Sequence, residues 1–342
     1  MSAVRLHPGG WLPEVHAALQ ALLDRHGRGG PAFEAAAPPF AVFDWDQTIT
    51  RFDIGDAVLA YQVEQQAFAL HHPPFWDLLP QPLPPGLRAV AEAVAAAADA
   101  QPPPRPEQAA LRAAILAGYL AAGELDPQEG FPWQTQILAG LRVAEVEALT
   151  ERVIDRALRA PLAAVEHWPV EPSDDSRGLR IRWAIRPYPA MLDLIGALGR
   201  AGIDVWVVSA SPVWVVRTFA RRLGLPPERV IGTRTRVAAD GTISHVVEPP
   251  VPATTGKVEA IKHYVHPRQR PVFVAGDNIT DRPMLEYAAD TRLVIDRGVV
   301  ALREIALERR RRGERWLLQP AFELEDDAVA GPASSVSVTS TP

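Results

Sequence analysis

Two aspartates, Asp44 and Asp46, follow directly on the apolar run Phe40–Phe43 in the segment FAVFDWDQT. Such a run predicts a strand buried on both faces, and its carboxyl end would hold the two carboxyl groups close together in a crevice. One carboxylate of such a pair can attack phosphorus, while the other gives a proton to the leaving group and later takes one from water. Acidic residues also end many strands in plain surface turns, so this pattern alone leaves both interpretations open.

A serine and a lysine further along the chain could bind an anion. Ser209 ends the apolar run Asp204–Ser209 before a helical pattern, so its hydroxyl and the helix N-terminal amides suit a phosphoryl group. Serine is also an ordinary helix N-cap. Lys257 opens another predicted helix, where the helix dipole disfavours a cation unless an anion lies nearby. Surface lysines are common, so neither residue decides the question by itself.

Two more aspartates, Asp277 and Asp281, lie in the loop GDNITD after the apolar run PVFVA. Their spacing of four allows both to face the crevice if the loop turns directly into a helix. Hard carboxylate oxygens suit Mg²⁺, which keeps several waters and commonly binds together with a substrate phosphate. A capped strand-to-helix loop is the alternative. We predict Mg²⁺ as the cofactor.

The elements that must position these residues alternate between strand and helix. Short apolar runs predict strands at Phe40–Asp44, Asp204–Ser209, Arg229–Thr233, Pro271–Asp277 and Arg292–Asp296. Helical patterns fill the intervals at Ala190–Ala201, Pro212–Leu223, Lys257–Tyr264 and Arg282–Ala289. This alternation predicts an α/β fold with a parallel sheet covered by helices. Three of the runs end on Asp44, Ser209 and Asp277, at the edge where such sheets bind ligands.

Four segments depart from this alternation. Residues 1–35 predict an N-terminal helical extension with one helix at Leu12–Arg25, and residues 329–342 predict a disordered tail. Residues 52–179 show no repeating strand pattern and predict an inserted helical domain, with Glu107–Gly118 and Val143–Leu158 among its helices. The core is then formed by 36–51 and 180–328. Within it, Arg234–Glu248 predicts a β-hairpin around Asp240-Gly241.

Composition limits the class of protein. The chain has 342 residues, of which 47% are hydrophobic, and a formal net charge of −6. With no basic stripe, this charge disfavours a nucleic-acid partner. The absence of cysteine excludes disulfides and thiolate chemistry. No apolar run approaches the roughly 18 residues of a membrane span, and the start of the chain lacks a signal-peptide pattern. We expect a cytoplasmic protein without a membrane partner.

The motifs occur in an order that has a precedent. The motifs are Asp-x-Asp-x-Thr, then serine after a strand, then lysine, then Gly-Asp-x-x-x-Asp. This order resembles that of the phosphatases of the haloacid dehalogenase (HAD) superfamily, over about Phe40 to Asp296. The position of the insert and the later hairpin resemble the phosphoserine phosphatase branch. Within that branch, Arg51, Asp53 and the segment Phe131-Pro132-Trp133 are most similar to bacterial phosphorylcholine phosphatases.

The resemblance implies a Rossmann-like core with an inserted helical cap and assigns the main catalytic roles. Asp44 would be the nucleophile that forms an aspartyl-phosphate, and Asp46 the general acid and base. Ser209 would hold phosphate oxygens, and Lys257 would offset the negative charge. Mg²⁺ would be bound by the carboxylates of Asp44 and Asp277 and by the backbone carbonyl of Asp46.

The supporting and substrate-contacting residues follow from the same resemblance. Thr48, Asn278 and Asp281 would support the loops behind the metal ligands. The substrate would be a small phosphorylated metabolite, with phosphorylcholine and phosphoserine as two candidates. Trp45 and Trp133 could form an aromatic cage for a quaternary ammonium, although tryptophans also fill helical cores. Arg51 and Asp53 could instead bind a polar head group such as a serine moiety.

Three other functions use the same residues or the same fold. The phosphoryl group could pass to an acceptor other than water, which would make the protein a phosphotransferase. The domain could be a catalytically silent binding module, which the complete set of motif residues disfavours. A nucleic-acid 3′-phosphatase is disfavoured by the acidic charge balance.

Overall fold

The structure, a computed structural model, describes residues 4–72, 74–96, 105–169 and 178–324. Its strands are β1 Phe40–Phe43, β2 Thr50–Arg51, β3 Val165–Pro169, β4 Gly178–Arg182, β5 Arg186–Pro187, β6 Asp204–Pro212, β7 Val230–Thr233, β8 Thr235–Val237, β9 Ile243–Val247, β10 Phe273–Gly276, β11 Thr291–Asp296 and β12 Arg315–Pro320. Its α-helices are α1 Pro13–His26, α2 Ile54–Gln65, α3 Pro74–Asp77, α4 Pro85–Ala96, α5 Gln108–Gly123, α6 Pro127–Gly130, α7 Pro132–Gln136, α8 Val143–Arg159, α9 Pro189–Arg200, α10 Val213–Arg222, α11 Thr255–Tyr264, α12 Arg282–Tyr287 and α13 Val300–Arg311. Short 3₁₀ turns lie at Pro227–Arg229 and Ile279–Asp281.

The main sheet confirms the predicted α/β fold with a parallel core. Its six strands lie in the order β12-β11-β10-β1-β6-β7, and all neighbouring pairs are parallel. All four residues of β1 are buried, as expected for a central strand covered by helices on both faces. The sequence prediction missed the edge strand β12, because Arg315–Pro320 mixes exposed and buried residues instead of forming a continuous apolar run.

The sheet brings three predicted site residues to one edge. Asp44 follows β1, Asp277 follows β10, and Ser209 lies near the end of β6, the other neighbour of β1. The backbone N–H of Asp44 donates to the carbonyl of Ala275 at 3.0 Å, which fixes the end of β1 against β10. Because parallel strands end on the same side, residues far apart in sequence converge there.

The segment predicted as a helical insert also contains the strand β3, which was not predicted from the sequence. β3 and β4 pair antiparallel after α8. Trp168 and Ile181 on these strands are buried in a cap core with Phe75 and Trp133. The short alternating segments VEHWP and GLRIR have no long apolar run, which is why the sequence did not reveal them.

The last long helix of the same segment packs on the core rather than only on its neighbours in the cap. Val146 and Val153 of α8 belong to the main hydrophobic cluster together with Phe219 of α10. Arg222 of α10 also donates to Glu151 of α8 at 2.7 Å. The boundary of the cap at 52–179 stays a prediction, and α8 lies against the core within it.

The N-terminal helix α1 forms within one residue of its predicted bounds and packs on the core. Leu19 and Leu22 are buried in the main hydrophobic cluster. Arg25 and His26 contact the Asp290 carboxylate at 2.7 and 2.8 Å, beyond the end of α12. The predicted disordered tail, 329–342, lies outside the described residues. Among the helices that the structure describes, none has the length and apolar character needed to cross a membrane.

Candidate active site

A buried lysine joins two of the predicted site aspartates. The Lys257 ammonium lies 2.6 Å from Asp44 Oδ1 and 2.5 Å from Asp281 Oδ1. Only 3% of Lys257 is exposed. Although burial lowers the pKa of Lys257, the carboxylates of Asp281 and Asp44 outweigh that effect and raise it above the ordinary value. These two anions explain why a cation is stable at the start of α11, against the helix dipole.

A tight turn after β1 positions the second half of the first motif. The N–H groups of Thr48 and Ile49 donate to the carbonyl of Trp45 at 3.2 and 2.8 Å. Gln47 has a positive φ of 63°, and its side chain accepts the Phe52 N–H at 3.2 Å. The buried Thr48 hydroxyl lies 3.3 Å from Asp44 Oδ2 and 3.2 Å from Asp277 Oδ1. Thr48 therefore lies between two strand ends, as expected of a supporting residue.

The loop after β10 is held by Asp281. Its Oδ2 accepts the backbone N–H groups of Asp277 and Asn278 at 3.0 and 3.1 Å, while the Asn278 side chain accepts the Ile279 N–H at 2.7 Å. Arg297, directly after β11, donates to Asp277 Oδ2. Arg297 was not predicted from the sequence. It directly follows β11, the neighbour of β10 in the sheet, and this position is the signal that could have identified it.

The acidic residues at this edge can form a metal site. Carboxylate oxygens of Asp44, Asp277 and Asp281 lie within 4.8 Å of one another. Asp281 uses its two oxygens to hold Lys257 and the backbone of its own loop, while Asp44 and Asp277 are the two carboxylate ligands expected from the sequence. Burial raises the pKa of Asp44 to about 6 against the effect of Lys257, and it raises the pKa of Asp277 well above its ordinary value. Crowded, buried carboxylates of this kind fit a hard divalent cation.

The second acid of the first motif has a different environment. Asp46 Oδ1 accepts the Ile54 N–H at 2.9 Å, and Oδ2 accepts the Ser211 hydroxyl at 2.7 Å. Burial raises the pKa of Asp46 well above its ordinary value, and the negative charge of Asp53 adds to that rise. The protonated form is thereby favoured, which is what a general acid needs.

The serine of the second motif is connected to Asp46 through Ser211. Ser209 is 1% exposed, and its hydroxyl accepts the backbone N–H of Ser211 at 3.1 Å. Ser211 in turn donates its hydroxyl to Asp46, so Ser209 lies one residue from Asp46 in this hydrogen-bond chain. The structure places Lys257 on Asp44 and Asp281, and the phosphate-binding role of Ser209 stays a prediction.

Acidic residues also lie at the start of the cap. Asp53 caps α2 by accepting the Asp56 N–H at 3.1 Å. Asp56 Oδ1 accepts the Tyr119 hydroxyl at 3.0 Å and the Gln134 amide at 3.1 Å. Burial raises the pKa of Asp53 to about 7, and the charge of Asp56 adds to it, while Arg297 opposes it more weakly. Asp56, Tyr119 and Gln134 were not predicted; only the three-residue spacing of Asp56 from Asp53 could have indicated one of them.

The structure does not support the predicted aromatic cage. Trp45 is 0% exposed, and its ring packs on Phe219 in the main core, 5.5 Å between centroids. The two acids on either side face the crevice, so the residue between them must face the opposite way. Trp133 lies in the cap core, 8% exposed, and its indole N–H donates to the Leu78 carbonyl at 2.8 Å. The prediction is wrong for Trp45, and Trp133 serves cap packing.

Arg51 lies on the short strand β2 that leads into the cap. Its guanidinium carbon is 5.3 Å from the centroid of the Phe52 ring, and that of Arg182 is 4.8 Å from the same ring. Phe52 thus lies near two cations at the entrance to the cap. A substrate contact by Arg51 stays a prediction.

Comparison of the sequence with known proteins gives a family match and a similar curated protein. Residues 119–286 match the family model described as haloacid dehalogenase-like hydrolase. Phosphorylcholine phosphatase of Pseudomonas aeruginosa is 24% identical over 266 residues, which cover 70% of this chain and 68% of that protein.

Two crystal structures share the fold. A functionally unknown protein of Anaerococcus prevotii has a TM-score of 0.73 at 22% identity, covering 93% of this chain and 94% of its own. A protein of unknown function from Bordetella pertussis has a TM-score of 0.53 at 18% identity, covering 83% and 98%. The family match includes Ser209, Lys257 and Asp277. Residues 119–286 are therefore similar to haloacid dehalogenase-like hydrolases, the family that the order of the motifs indicated.

Proposed function

We propose that the protein is a Mg²⁺-dependent phosphomonoesterase that hydrolyses a small phosphorylated metabolite through an aspartyl-phosphate on Asp44. One observation carries the proposal. A carboxylate at the end of the central strand contacts a buried lysine, and burial of a second carboxyl group two residues later favours the protonated form of that group. A nucleophile and a proton donor at this spacing can act on opposite sides of one phosphorus atom.

The reaction takes two half-reactions. In the first, an Asp44 oxygen bonds to phosphorus as the bond to the leaving-group oxygen breaks, and Asp46 gives that oxygen its proton. In the second, water bonds to phosphorus and gives its proton to Asp46 as the bond to Asp44 breaks. Lys257 offsets the charge on Asp44 and the phosphoryl group throughout, while the Ser209 hydroxyl binds a phosphoryl oxygen.

The metal site fits this chemistry. The carboxylates of Asp44 and Asp277, with the backbone carbonyl of Asp46, would hold Mg²⁺. When bound, the ion offsets the negative charge that would otherwise repel an anionic nucleophile from a phosphate ester. Arg297 and Thr48 hold the Asp277 carboxylate in place for this role.

The wild-type protein is expected to release phosphate from phosphomonoesters when Mg²⁺ is present and to lose that activity in EDTA. A panel of phosphorylcholine, phosphoethanolamine, phosphoserine and sugar phosphates, assayed for inorganic phosphate, tests this directly. Product that forms only when an acceptor alcohol is added would instead indicate a phosphotransferase. Phosphate binding without turnover of any ester would indicate a silent binding domain.

The acidic residues at the start of α2 favour a cationic leaving group. Asp53 directly precedes Ile54, whose backbone N–H donates to Asp46. The side chain of Asp53 accepts the Asp56 N–H, so Asp53 and Asp56 lie in the same part of the site as Asp46. An ammonium group would offset these charges, whereas the carboxylate of phosphoserine would be repelled. The similarity to phosphorylcholine phosphatase supports the same substrate class.

This assignment predicts a pH-dependent affinity for cationic substrates. Because the pKa of Asp53 is about 7, Asp53 gains its charge as the pH rises through neutrality. The KM for phosphorylcholine should therefore fall between about pH 6 and about pH 8, relative to the KM for its uncharged isostere 3,3-dimethylbutyl phosphate. The ratio of the two values cancels the titration of the phosphate itself.

The variant Asp53→Asn should raise the KM for phosphorylcholine about tenfold at the higher pH, leave the isostere nearly unaffected and remove the pH dependence of the ratio. Asparagine is also a good N-cap, so α2 should persist. Asp126→Asn is the matched control, because Asp126 caps α6 of the cap in the same way. An unchanged ratio in Asp53→Asn would refute a cationic subsite at Asp53.

A further inference from the structure

Ser211 connects the acid to the phosphate-binding serine. It lies near the end of β6 and is 8% exposed. Its hydroxyl is 2.7 Å from Asp46 Oδ2, and its backbone N–H donates to the Ser209 hydroxyl at 3.1 Å. One residue therefore contacts the proton donor with its side chain and the phosphate-binding group with its backbone.

The two hydrogen-bond partners of Asp46 differ in chemistry. The backbone N–H of Ile54 on Oδ1 can only donate, whereas the hydroxyl of Ser211 on Oδ2 can donate or accept. In the proposed reaction Asp46 alternates between the acid and the carboxylate. Of these two partners, only Ser211 can form a hydrogen bond suited to both forms, by reversing the direction of its O–H.

We propose that Ser211 is a positioning residue that holds the Asp46 carboxyl group in the orientation needed for proton transfer in both half-reactions. The inference rests on the proposed phosphatase function. In the first half-reaction a proton leaves Asp46 for the leaving-group oxygen as the P–O bond to that oxygen breaks. In the second, a proton from the attacking water returns to Asp46 as the bond from phosphorus to Asp44 breaks.

The dependence of kcat/KM on the leaving group distinguishes this positioning role from a merely structural role. Alkoxide leaving groups need the proton from Asp46, whereas p-nitrophenolate leaves readily without it. The quantity kcat/KM covers the steps through the first half-reaction, provided that phosphoryl transfer to Asp44 is irreversible. A misoriented Asp46 should therefore lower kcat/KM for alkyl phosphates much more than for p-nitrophenyl phosphate.

Ser211→Ala is expected to lower kcat/KM about 10²-fold for alkyl phosphates and only about threefold or less for p-nitrophenyl phosphate. Its kcat for p-nitrophenyl phosphate should also fall, with phosphoenzyme accumulating, because Asp46 activates water in the second half-reaction. Ser211→Thr, which keeps the hydroxyl, should restore most of the activity toward alkyl phosphates. Ser244→Ala is the control, because Ser244 is likewise a strand serine but lies on the hairpin strand β9, where its hydroxyl accepts the backbone N–H of Val246.

Equal losses for the two substrate types, or no loss, would overturn the role of Ser211. Thermal unfolding of each variant shows whether Ser211→Ala still folds. If it does not fold, kcat/KM of Ser211→Thr and of wild type, compared across leaving groups, tests the role of Ser211 instead. In that case, retention of the wild-type leaving-group dependence supports the role, and an equal loss refutes it. Failure of the phosphatase function itself is distinct, because the wild type would then hydrolyse neither substrate.

Discussion

Replacing Asp44 with asparagine is expected to abolish phosphomonoester hydrolysis, with a loss of at least about 10³-fold in kcat. The amide has nearly the same shape as the carboxylate and can still accept a hydrogen bond from Lys257. It is a far weaker nucleophile and a poorer metal ligand, because it carries no negative charge. The fold should persist, since Asp44 lies at the end of β1 with its backbone N–H held by Ala275.

Asp204→Asn provides the matched control for this variant. Asp204 begins β6 and pairs in register with the first residue of β1. It therefore lies at the amino-terminal ends of the strands, opposite to Asp44, where it contacts Arg229. The same chemical change there should leave activity near the wild-type value. Acid quenching followed by intact-protein mass spectrometry should detect a phosphoryl adduct on wild type and none on Asp44→Asn. Wild-type activity in Asp44→Asn would refute nucleophilic attack by Asp44.

Replacing Lys257 with methionine is expected to remove activity and to destabilise the fold. Methionine fills a similar volume but leaves the carboxylates of Asp44 and Asp281 buried without their cation. Breaking one partner out of a buried ionic cluster costs about 3–5 kcal/mol of unfolding free energy. The loss of charge compensation at the phosphoryl group should lower kcat by at least about 10²-fold. Denaturant unfolding and phosphate release measure the two effects separately.

Lys262→Met in the same helix separates the site from general effects on α11. Lys262 is exposed, and its ammonium lies 5.4 Å from the centroid of the Tyr287 ring. Its loss should cost no more than about 1 kcal/mol and leave phosphate release unchanged. An equal loss of unfolding free energy in the two variants would show that Lys257 stabilises the fold through helix packing. Full phosphate release by a folded Lys257→Met variant would exclude a role of Lys257 in charge compensation.

The core and its central residues could be predicted from the sequence for a specific physical reason. Central strands of a parallel sheet are buried on both faces, so β1, β6 and β10 appear as continuous apolar runs that end in a polar residue. Parallel strands must also end at one edge, which brings Asp44, Ser209 and Asp277 together however far apart they lie in the chain.

Elements with mixed burial carried no such signal. β12 at the sheet edge mixes buried and exposed residues over six positions, and the β3–β4 pair in the cap has only five residues in each strand. Such short segments are compatible with several structures, and the surrounding packing selects one of them. The strand β3 within the predicted helical insert was not predicted for this reason.

The types of the motif residues and their positions after buried runs follow from local rules, so the sequence alone indicated the residues that are proposed to carry the chemistry. The side chains that accompany them follow only from the tertiary structure. It buried Trp45 in the core, placed Arg297 on Asp277, set Ser211 against Asp46 and brought Tyr119 to Asp56. Each of these contacts joins residues brought together by packing or by the direction in which a side chain leaves the backbone. Local sequence constrains neither, because both depend on how the cap, the helices and the sheet pack against one another.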